Sequence, residues 1–329
     1  MTVASPLLEV RHLKVEFPTR RGTLLALDDV SFDIAPGEIL GVVGESGAGK
    51  SLTGAAIIGL LEPPGRIAGG EILLGGERID NLPHERMREI RGRRIGAIFQ
   101  DPLTSLNPLV TVGGQIIETI QVHLKLGFAE ARQRAIHLLQ ETGIPAAEHR
   151  IDQYPHQFSG GMRQRVVIAL ALAAEPQLIV ADEPTTALDV SIQAQIISLL
   201  KRLTREHGAA VMLVTHDMGV IAEACDRVAV MYAGRIAEIG PVADVIHRPA
   251  HPYTVGLMGS IPSMEGERER LMQIDGAMPR LNAIPTGCAF NPRCPQAFER
   301  CRREQPALLA ADRTRAACWL HATDAGGGR

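Results

Sequence analysis

The sequence predicts an α/β protein with a mostly parallel sheet, a helical subdomain and a small cysteine-rich C-terminal appendage. Short apolar runs that suit buried strands alternate with helical patterns, which is typical of a parallel sheet covered by helices. A glycine-rich phosphate-loop pattern lies between the first of these runs and the next helix. Four of the five cysteines fall between Cys288 and Cys318.

The composition argues against a nucleic-acid binder, a membrane-spanning chain and a secreted protein. With 22% charged residues and a formal net charge of -3, the chain lacks the basic excess of a nucleic-acid binder. Its longest uninterrupted apolar stretch, Val166 to Ala174, is shorter than the roughly 18 residues of a membrane span. Residues 1–10 lack the basic and apolar regions of a secretory signal. We therefore expect a cytosolic protein without a nucleic-acid partner.

Three apolar runs define the expected sheet. Glu38 to Val43 reads as a strand that leads through a glycine-rich turn into a helix. Leu178 to Ala181 and Val211 to Val214 suit strands that are buried on both faces. Between them, Asp189 is the expected N-cap of a helix that Gly208 ends.

Helical patterns such as Ala129 to Thr142 dominate the middle of the chain, where strand-like runs are absent. The stretch from Pro241 to Pro262 contains several prolines and indicates a boundary. We predict a larger domain over residues 1–245, with a helical subdomain at about 101–165, and a C-terminal appendage over 246–329.

Residues 44–51 fit the P-loop pattern of Gly, four residues, then Gly-Lys-Ser. Glycines let backbone N–H groups converge on phosphate oxygens, and the helix that begins near Lys50 adds its positive dipole. Lys50 suits the β- and γ-phosphates, and the Ser51 hydroxyl suits Mg²⁺. The residues predicted to bind ATP here are Gly44, Glu45, Ser46, Gly47, Ala48, Gly49, Lys50, Ser51 and Leu52.

Two carboxylates, Asp182 and Glu183, follow a buried strand. The first can reach Mg²⁺ and the second a water aligned on the γ-phosphate. Alone, such a pair is more often a solvated loop start, and only the P-loop makes the functional interpretation strong. His216 follows the next strand and can approach the γ-phosphate from there.

Further motifs give the chain a family resemblance. Phe158-Ser159-Gly160-Gly161-Met162-Arg163-Gln164-Arg165 resembles the ABC signature motif, and Thr186-Ala187-Leu188-Asp189 resembles the loop after the catalytic glutamate of that family. Gln100 matches its glutamine loop and His216 its switch histidine. The signature reads Phe-Ser-Gly-Gly-Met rather than the commoner Leu-Ser-Gly-Gly-Gln, but Ser159 and both glycines are kept.

Residues 154–161 and His251-Pro252-Tyr253-Thr254 are similar to the oligopeptide/dipeptide importer branch of the ABC transporter ATP-binding subunits. This resemblance implies a P-loop ABC ATPase domain in which a second subunit closes over ATP. The implied catalytic residues are Glu183, His216, Gln100 and Lys50, and the implied Mg²⁺ contacts are Ser51, Gln100 and Asp182. Contacts to the ATP of the opposite subunit are implied for Ser159, Gly160, Gly161 and Asp189.

Two features keep alternatives open. Phe17 is the adenine-stacking aromatic by resemblance, but it also suits a core phenylalanine. Cys288, Cys294, Cys301 and Cys318 have a spacing that fits neither common zinc knuckles nor ferredoxin runs. Their chemistry allows a 4Fe-4S cluster, Zn²⁺ or free thiols, and the resemblance favours the cluster. Cys225 stands apart and suits a small buried hydrophobe.

The resemblance implies a subunit that binds and hydrolyses ATP with Mg²⁺ to power import of di- and oligopeptides. The implied partners are two transmembrane permease subunits, a second ABC ATPase subunit in a heterodimer, and an extracytoplasmic solute-binding protein. The chain would lie peripherally on the cytoplasmic face of the plasma membrane. Alternatives are the same role for nickel, glutathione or another small solute, and a soluble ABC ATPase acting on nucleic acid. An idle structural half is disfavoured because Lys50, Ser159, Glu183 and His216 are all present.

Overall fold

The structure is a computed structural model that describes residues 5–186, 188–260 and 273–322. Ala187 of the predicted post-glutamate loop lies outside the described residues, as do residues 1–4 of the predicted larger domain. The same holds for residues 261–272 and 323–329 of the predicted appendage.

The strands of the described residues belong to two sheets. In chain order they are β1 (Leu8–Thr19), β2 (Gly22–Ile34), β3 (Ile39–Val43), β4 (Arg66–Leu74), β5 (Glu77–Arg78), β6 (Ile95–Ile98), β7 (Leu178–Asp182), β8 (Ala210–Val214), β9 (Arg227–Tyr232), β10 (Arg235–Pro241), β11 (Leu309–Ala311) and β12 (Thr314–Ala316).

The α-helices are α1 (Lys50–Ile57), α2 (His84–Ile90), α3 (Pro102–Ser105), α4 (Val112–Leu124), α5 (Phe128–Glu141), α6 (Ala147–Arg150), α7 (Gly160–Leu172), α8 (Val190–His207), α9 (Met218–Ala224), α10 (Val242–His247), α11 (Pro252–Gly259) and α12 (Glu299–Arg303). Single 3₁₀ turns cover Pro155–Gln157 and Trp319–His321.

The larger sheet has the strand order β11-β12-β10-β9-β3-β8-β7-β6. Its centre is parallel, because β3 pairs with β8 and β9 in that sense, and β7 with β6 and β8. All residues of β3 and β8 are buried, as expected for strands covered on both faces. The three strands predicted from apolar runs are confirmed, and their C-terminal ends meet at one edge of the sheet.

The prediction of a mostly parallel sheet is too simple, because the sheets are mixed. A second sheet, in the order β2-β1-β4-β5, is antiparallel throughout, and the larger sheet ends in antiparallel pairs at β10, β12 and β11. The long strand β1 buries Leu8, Val10, Leu13 and Val15, with a register irregularity between Val10 and Leu13. That irregularity breaks the two-residue period by which a strand is recognised in sequence.

Helices α3 to α7 form the helical part that the sequence predicts between β6 and β7. Its core joins α4, α5 and α7 through buried side chains such as Ile116, Leu139 and Ile168. Because α7 also packs beside β6, this part shares a core with the larger sheet.

The C-terminal residues continue the same fold. Strand β12 pairs with β10 and so extends the larger sheet. Glu238 of β10 is fully buried and accepts hydrogen bonds from the backbone N–H groups of Ala250 and His251, both at 2.9 Å. Tyr253 and Phe290 then pack their rings against Tyr232 of β9, with centroids 4.7 and 5.2 Å from that ring. The C-terminal part is therefore attached directly beside the P-loop strand and its neighbours.

No helix in the described ranges combines the length and the apolar character that crossing a membrane requires.

Candidate nucleotide-binding site

The P-loop runs from the end of β3 to the start of α1. Gly44, Gly47 and Gly49 have φ values of 152°, 83° and 103°, which favour glycine. A Cβ atom at Gly44 would lie only 2.2 Å from the carbonyl oxygen of Met231 in the adjacent strand β9. Glycine is therefore needed there both for the backbone conformation and for the close approach of two chain segments.

Lys50 opens α1 and has a buried side chain. Its Nζ donates hydrogen bonds to the carbonyl oxygens of Gly44 at 2.9 Å and Glu45 at 3.2 Å. Burial lowers the pKa of Lys50, while the charges of Glu183 and Asp182 act in the opposite direction. The ammonium is thus held inside the curve of the loop, facing two carboxylates.

Asp182 ends β7, next to the P-loop helix. The Ser51 hydroxyl donates to its Oδ1 at 2.9 Å. Burial raises the pKa of Asp182, the hydrogen bond from Ser51 opposes this, and the neighbouring Glu183 charge adds to it. A hydroxyl and a carboxylate side by side are oxygen donors of the kind that Mg²⁺ prefers.

Glu183 is the centre of a hydrogen-bond network. Its carboxylate accepts bonds from Gln100 Nε2 at 3.0 Å, Thr186 Oγ1 at 2.8 Å and His216 Nδ1 at 3.2 Å. Its backbone has φ 45°, and its N–H donates to Val214 O in β8 at 2.8 Å. This uncommon backbone conformation turns the side chain away from the strand and towards the three donors.

The network lowers the pKa of Glu183. Burial raises its pKa, but the hydrogen bonds from Thr186 and His216, with the charges of His216 and Lys50, outweigh burial and leave the pKa below its ordinary value. A carboxylate that stays ionised at neutral pH is able to accept a proton from a bound water.

These side chains surround a cavity of about 620 Å³, which we call the P-loop cavity and which has the size of a small-molecule site. Its lining residues are Phe17, Ala26, Ser46, Gly47, Gly49, Lys50, Ser51, Leu52, Gln100, Glu183, His216 and Leu281. Most of the residues that the sequence predicts for ATP and catalysis therefore meet in one place.

Gly44, Glu45 and Ala48 belong to the P-loop and to the predicted ATP-binding set, but they are not among the residues that line the cavity. Ala48 is buried, and its carbonyl accepts from the Gly234 N–H at 2.9 Å. The Glu45 backbone N–H donates to the hydroxyl of Tyr253 at 2.9 Å. These bonds attach the loop to neighbouring parts of the chain.

Phe17 lies between the P-loop cavity and the core. It lines the P-loop cavity and also packs against the core cluster beneath the antiparallel sheet. Leu281, from the C-terminal part, lines the same cavity and is 37% exposed. No sequence motif marks Leu281, a lone leucine far along the chain from the P-loop. The loop motif that contains Thr186 does not indicate the hydrogen bond from its hydroxyl to Glu183.

The signature residues lie elsewhere on the surface. Ser159 is the N-cap of α7, and its Oγ accepts from the Met162 N–H at 3.3 Å. Ser159 and Gly160 are exposed, and a Cβ at Gly161 would meet Ile192 of α8 at 2.9 Å. Asp189 is the N-cap of α8, as expected, and is exposed. None of these four predicted residues lines the P-loop cavity of its own chain.

The four C-terminal cysteines line one small cavity of about 10 Å³, together with His251 and Phe290. All four are free thiols. Burial raises the pKa of Cys288 to about 11, and the other three thiols add to this shift. Within the described ranges, no group of three or more His, Cys, Asp and Glu side chains is arranged to hold a metal ion. The predicted iron–sulfur or zinc site is therefore not supported by this arrangement, although the donors converge.

Cys225 is half-buried and packs beside Ile221 and Gly41, as expected of a small apolar side chain. Burial raises the pKa of Cys225 to about 12. A thiol with so high a pKa is protonated and unreactive at neutral pH.

The P-loop between a parallel strand and a helix, with paired carboxylates at the end of β7 in the same sheet, defines the class of P-loop ATPases. Family models agree in detail: residues 27–186 match the ABC transporter model, and residues 237–301 match the model "Oligopeptide/dipeptide transporter, C-terminal region".

Similar proteins extend this agreement over nearly the whole chain. The chain is 48% identical to the oligopeptide transport ATP-binding protein OppD of Salmonella typhimurium over 92% of this chain and 90% of that protein. It is 46% identical to the dipeptide transport ATP-binding protein DppD of Escherichia coli over 97% of this chain and 98% of that protein. The chain belongs to the ABC transporter family, among the oligopeptide/dipeptide ATP-binding subunits, and is an ABC ATPase.

A solved structure has the same fold. A dimeric ATP-binding cassette in a post-hydrolysis state with ADP and Pi superposes with a TM-score of 0.64 at 30% identity, over 71% of this chain and 98% of that one.

Proposed function

We propose that this chain is the ATP-binding and ATP-hydrolysing subunit that powers import of di- and oligopeptides through an ABC transporter. The observation that carries the proposal is Glu183, an ionised carboxylate bonded to Gln100, Thr186 and His216 at the P-loop cavity. The match of residues 237–301 to the oligopeptide/dipeptide model favours peptides as the solute.

In the proposed mechanism, ATP lies in the P-loop cavity with its phosphates against residues 44–51. Lys50 supplies a positive charge to the β- and γ-phosphates. Glu183 accepts a proton from water as the water oxygen bonds to the γ-phosphorus and the bond to the ADP oxygen breaks. His216 orients this water, and its hydrogen bond is one of the contacts that lower the pKa of Glu183.

Mg²⁺ would be held by Ser51, Asp182 and Gln100, whose oxygen atoms suit that ion, and it would neutralise phosphate charge. Phe17 and Leu281 line the cavity and are proposed to contact the adenine ring of ATP. An aromatic face and an aliphatic side chain together give the adenine apolar contact.

A second ATPase subunit is proposed to complete the site. Ser159, Gly160, Gly161 and Asp189 are exposed or near the surface but do not line the cavity of their own chain. The backbone N–H groups at the start of α7 would bind the γ-phosphate in the partner's P-loop cavity. A heterodimer with a related ATPase, rather than a homodimer, is the arrangement that we propose.

Two permease subunits and an extracytoplasmic solute-binding protein are proposed as the other components. A second cavity of about 360 Å³ lies beside the P-loop cavity, lined by apolar side chains that include Leu60 and Phe99. Leu103 and Leu109, which follow it in the chain, are 62% and 84% exposed. An apolar surface of this kind suits a permease loop, which would place the chain peripherally on the cytoplasmic face of the plasma membrane.

We also propose that the four cysteines bind a 4Fe-4S cluster, with Zn²⁺ as the alternative. The support is that four soft donors line one cavity. Their thiols must lose protons and rearrange for this, since the described side chains are not arranged for a metal ion and the pKa of Cys288 is raised. Iron and acid-labile sulfide in anaerobically purified protein test this, with Cys294→Ser expected to lose them and Cys225→Ser expected to keep them.

Uptake of labelled solutes tests the function. Cells that lack this chain receive either the wild-type gene or Lys50→Ala, and uptake of a labelled dipeptide and tripeptide is compared with that of nickel and glutathione. Peptide uptake restored by the wild type alone supports the proposal. Restored uptake of nickel or glutathione instead would keep the ATPase role and replace the solute, and no restored uptake would contradict an importer.

A further inference from the structure

Arg293 is a buried cation that reaches the P-loop from the C-terminal part. Its side chain is 7% exposed, and Nη1 donates to both oxygens of Glu45, at 3.0 and 3.2 Å. The guanidinium lies 5.8 Å from the ring centre of Tyr232. The remaining donors bond to the carbonyl oxygens of Ile274, Asp275 and Gly276.

Bonds to backbone carbonyls hold the Arg293 guanidinium in place independently of Glu45. Nε donates to Asp275 O at 2.8 Å, and Nη2 donates to two further carbonyls. A planar guanidinium with its other donors engaged has little freedom to move. It presents Nη1 to Glu45 in one orientation.

Glu45 is the second residue of the P-loop and is held at several points. Its N–H donates to the hydroxyl of the fully buried Tyr253, which also belongs to the C-terminal part. Its carbonyl accepts from Lys50 Nζ at 3.2 Å and from the Ala48 N–H at 3.1 Å. A movement of Glu45 would thus move the oxygen that positions the phosphate-binding lysine.

The charges of Arg293 and Glu45 also bear on phosphate binding. A carboxylate in the loop that receives the phosphates of ATP would repel them, and Arg293 offsets this negative charge. The side chain of Glu45 is 30% exposed, whereas Arg293 is almost fully enclosed, so the pair is partly shielded from water.

We propose that Arg293 is a positioning residue for ATP binding, which acts by holding Glu45 and, through it, the P-loop. The inference rests on the ATP site proposed above. The C-terminal part then sets the affinity of the chain for ATP without touching the reacting phosphate. This role differs from that of Lys50, whose charge acts on the phosphates directly.

The test compares Arg293→Gln, Glu45→Gln and the double variant with the wild type, by equilibrium binding of Mg²⁺-ATP and by steady-state hydrolysis. Arg293→Gln is expected to raise Kd and KM for ATP by roughly tenfold and to change kcat by less than about twofold, because the loss acts on binding rather than on the chemical step. Glu45→Gln loses the same contact but also the negative charge that repels phosphate, so its Kd is expected to rise less, by about threefold. The double variant is expected to bind no more weakly than Arg293→Gln, since the contact between the two side chains is already lost there. Arg313→Gln, at an exposed arginine of the same C-terminal part, is the matched control with wild-type affinity.

Three results separate the possibilities. Folded Arg293→Gln and Glu45→Gln with wild-type ATP affinity would overturn the proposal, as would additive losses in the double variant. A wild-type protein that does not bind ATP would instead contradict the proposed function itself. If Arg293→Gln does not fold, the ATP affinity of Glu45→Gln alone decides, because this variant leaves the bonds from Arg293 to the carbonyls in place. Arg293→Lys keeps the positive charge and is expected to restore part of the ATP affinity that Arg293→Gln loses.

Discussion

Ser51 donates a hydrogen bond of 2.9 Å to Asp182, although 131 residues separate them in the chain. The bond joins the first turn of α1 to the end of β7. It brings the P-loop and the carboxylate pair together in the folded chain, and the next residue, Glu183, then faces the same cavity. The proposed chemistry depends on this joining of two distant strand ends.

Thr186→Val is expected to move the acid limb of the activity profile to higher pH. The Thr186 hydroxyl is among the groups that lower the pKa of Glu183, so its removal raises that pKa. The carboxylate is the active form of a general base, so activity is lost as pH falls through this pKa. Hydrolysis rates at saturating ATP across the acidic range measure the shift.

Thr186→Ser keeps the hydroxyl and should leave the pH profile unchanged. If Thr186→Val and Thr186→Ser show the same acid limb, then the hydrogen bond to Glu183 does not govern the ionisation of the base.

Leu281→Ala is expected to weaken ATP binding by about fivefold, because a half-exposed leucine that contacts a ligand contributes on the order of 1 kcal/mol. The measurement is equilibrium binding of Mg²⁺-ATP. Val122→Ala, at an exposed apolar residue of α4, serves as the control and should bind normally. Equal ATP affinities for the wild type, Leu281→Ala and Val122→Ala would show that Leu281 does not contact the adenine of ATP.

Glu238→Gln is expected to lower the free energy of unfolding by about 2 kcal/mol. The fully buried carboxylate accepts two backbone N–H groups, and the glutamine NH₂ would face one of these donors without an acceptor. Urea unfolding followed by circular dichroism measures the change. The exposed Glu299→Gln should unfold like the wild type, and a similar midpoint for Glu238→Gln would show that the acceptor is dispensable.

Local sequence patterns predicted the parts of the site that local structure creates. The P-loop glycines, the strand before Asp182 and the helix after Asp189 each follow from neighbouring residues, so their positions were predicted closely. The antiparallel sheet was missed because the irregularity between Val10 and Leu13 interrupts the alternation of β1.

Long-range contacts account for what the sequence could not predict. Arg293 and Glu45 lie 248 residues apart, and no spacing rule joins them. Likewise, nothing in the sequence around Leu281 indicates that it lines the P-loop cavity, since the other lining residues lie far from it in the chain. The four C-terminal cysteines were recognised as a group because their type is rare, yet their spacing did not predict that all four line one cavity.

ATP hydrolysis by Glu183→Gln, measured together with equilibrium binding of Mg²⁺-ATP, tests the central claim most directly. We predict that the variant binds ATP and hydrolyses it at least about 100-fold more slowly than the wild type, because it lacks the carboxylate that accepts the proton of water. Glu206→Gln, at an exposed glutamate of α8, should hydrolyse ATP like the wild type. Undiminished hydrolysis by Glu183→Gln would contradict the assignment of the base and the mechanism built on it.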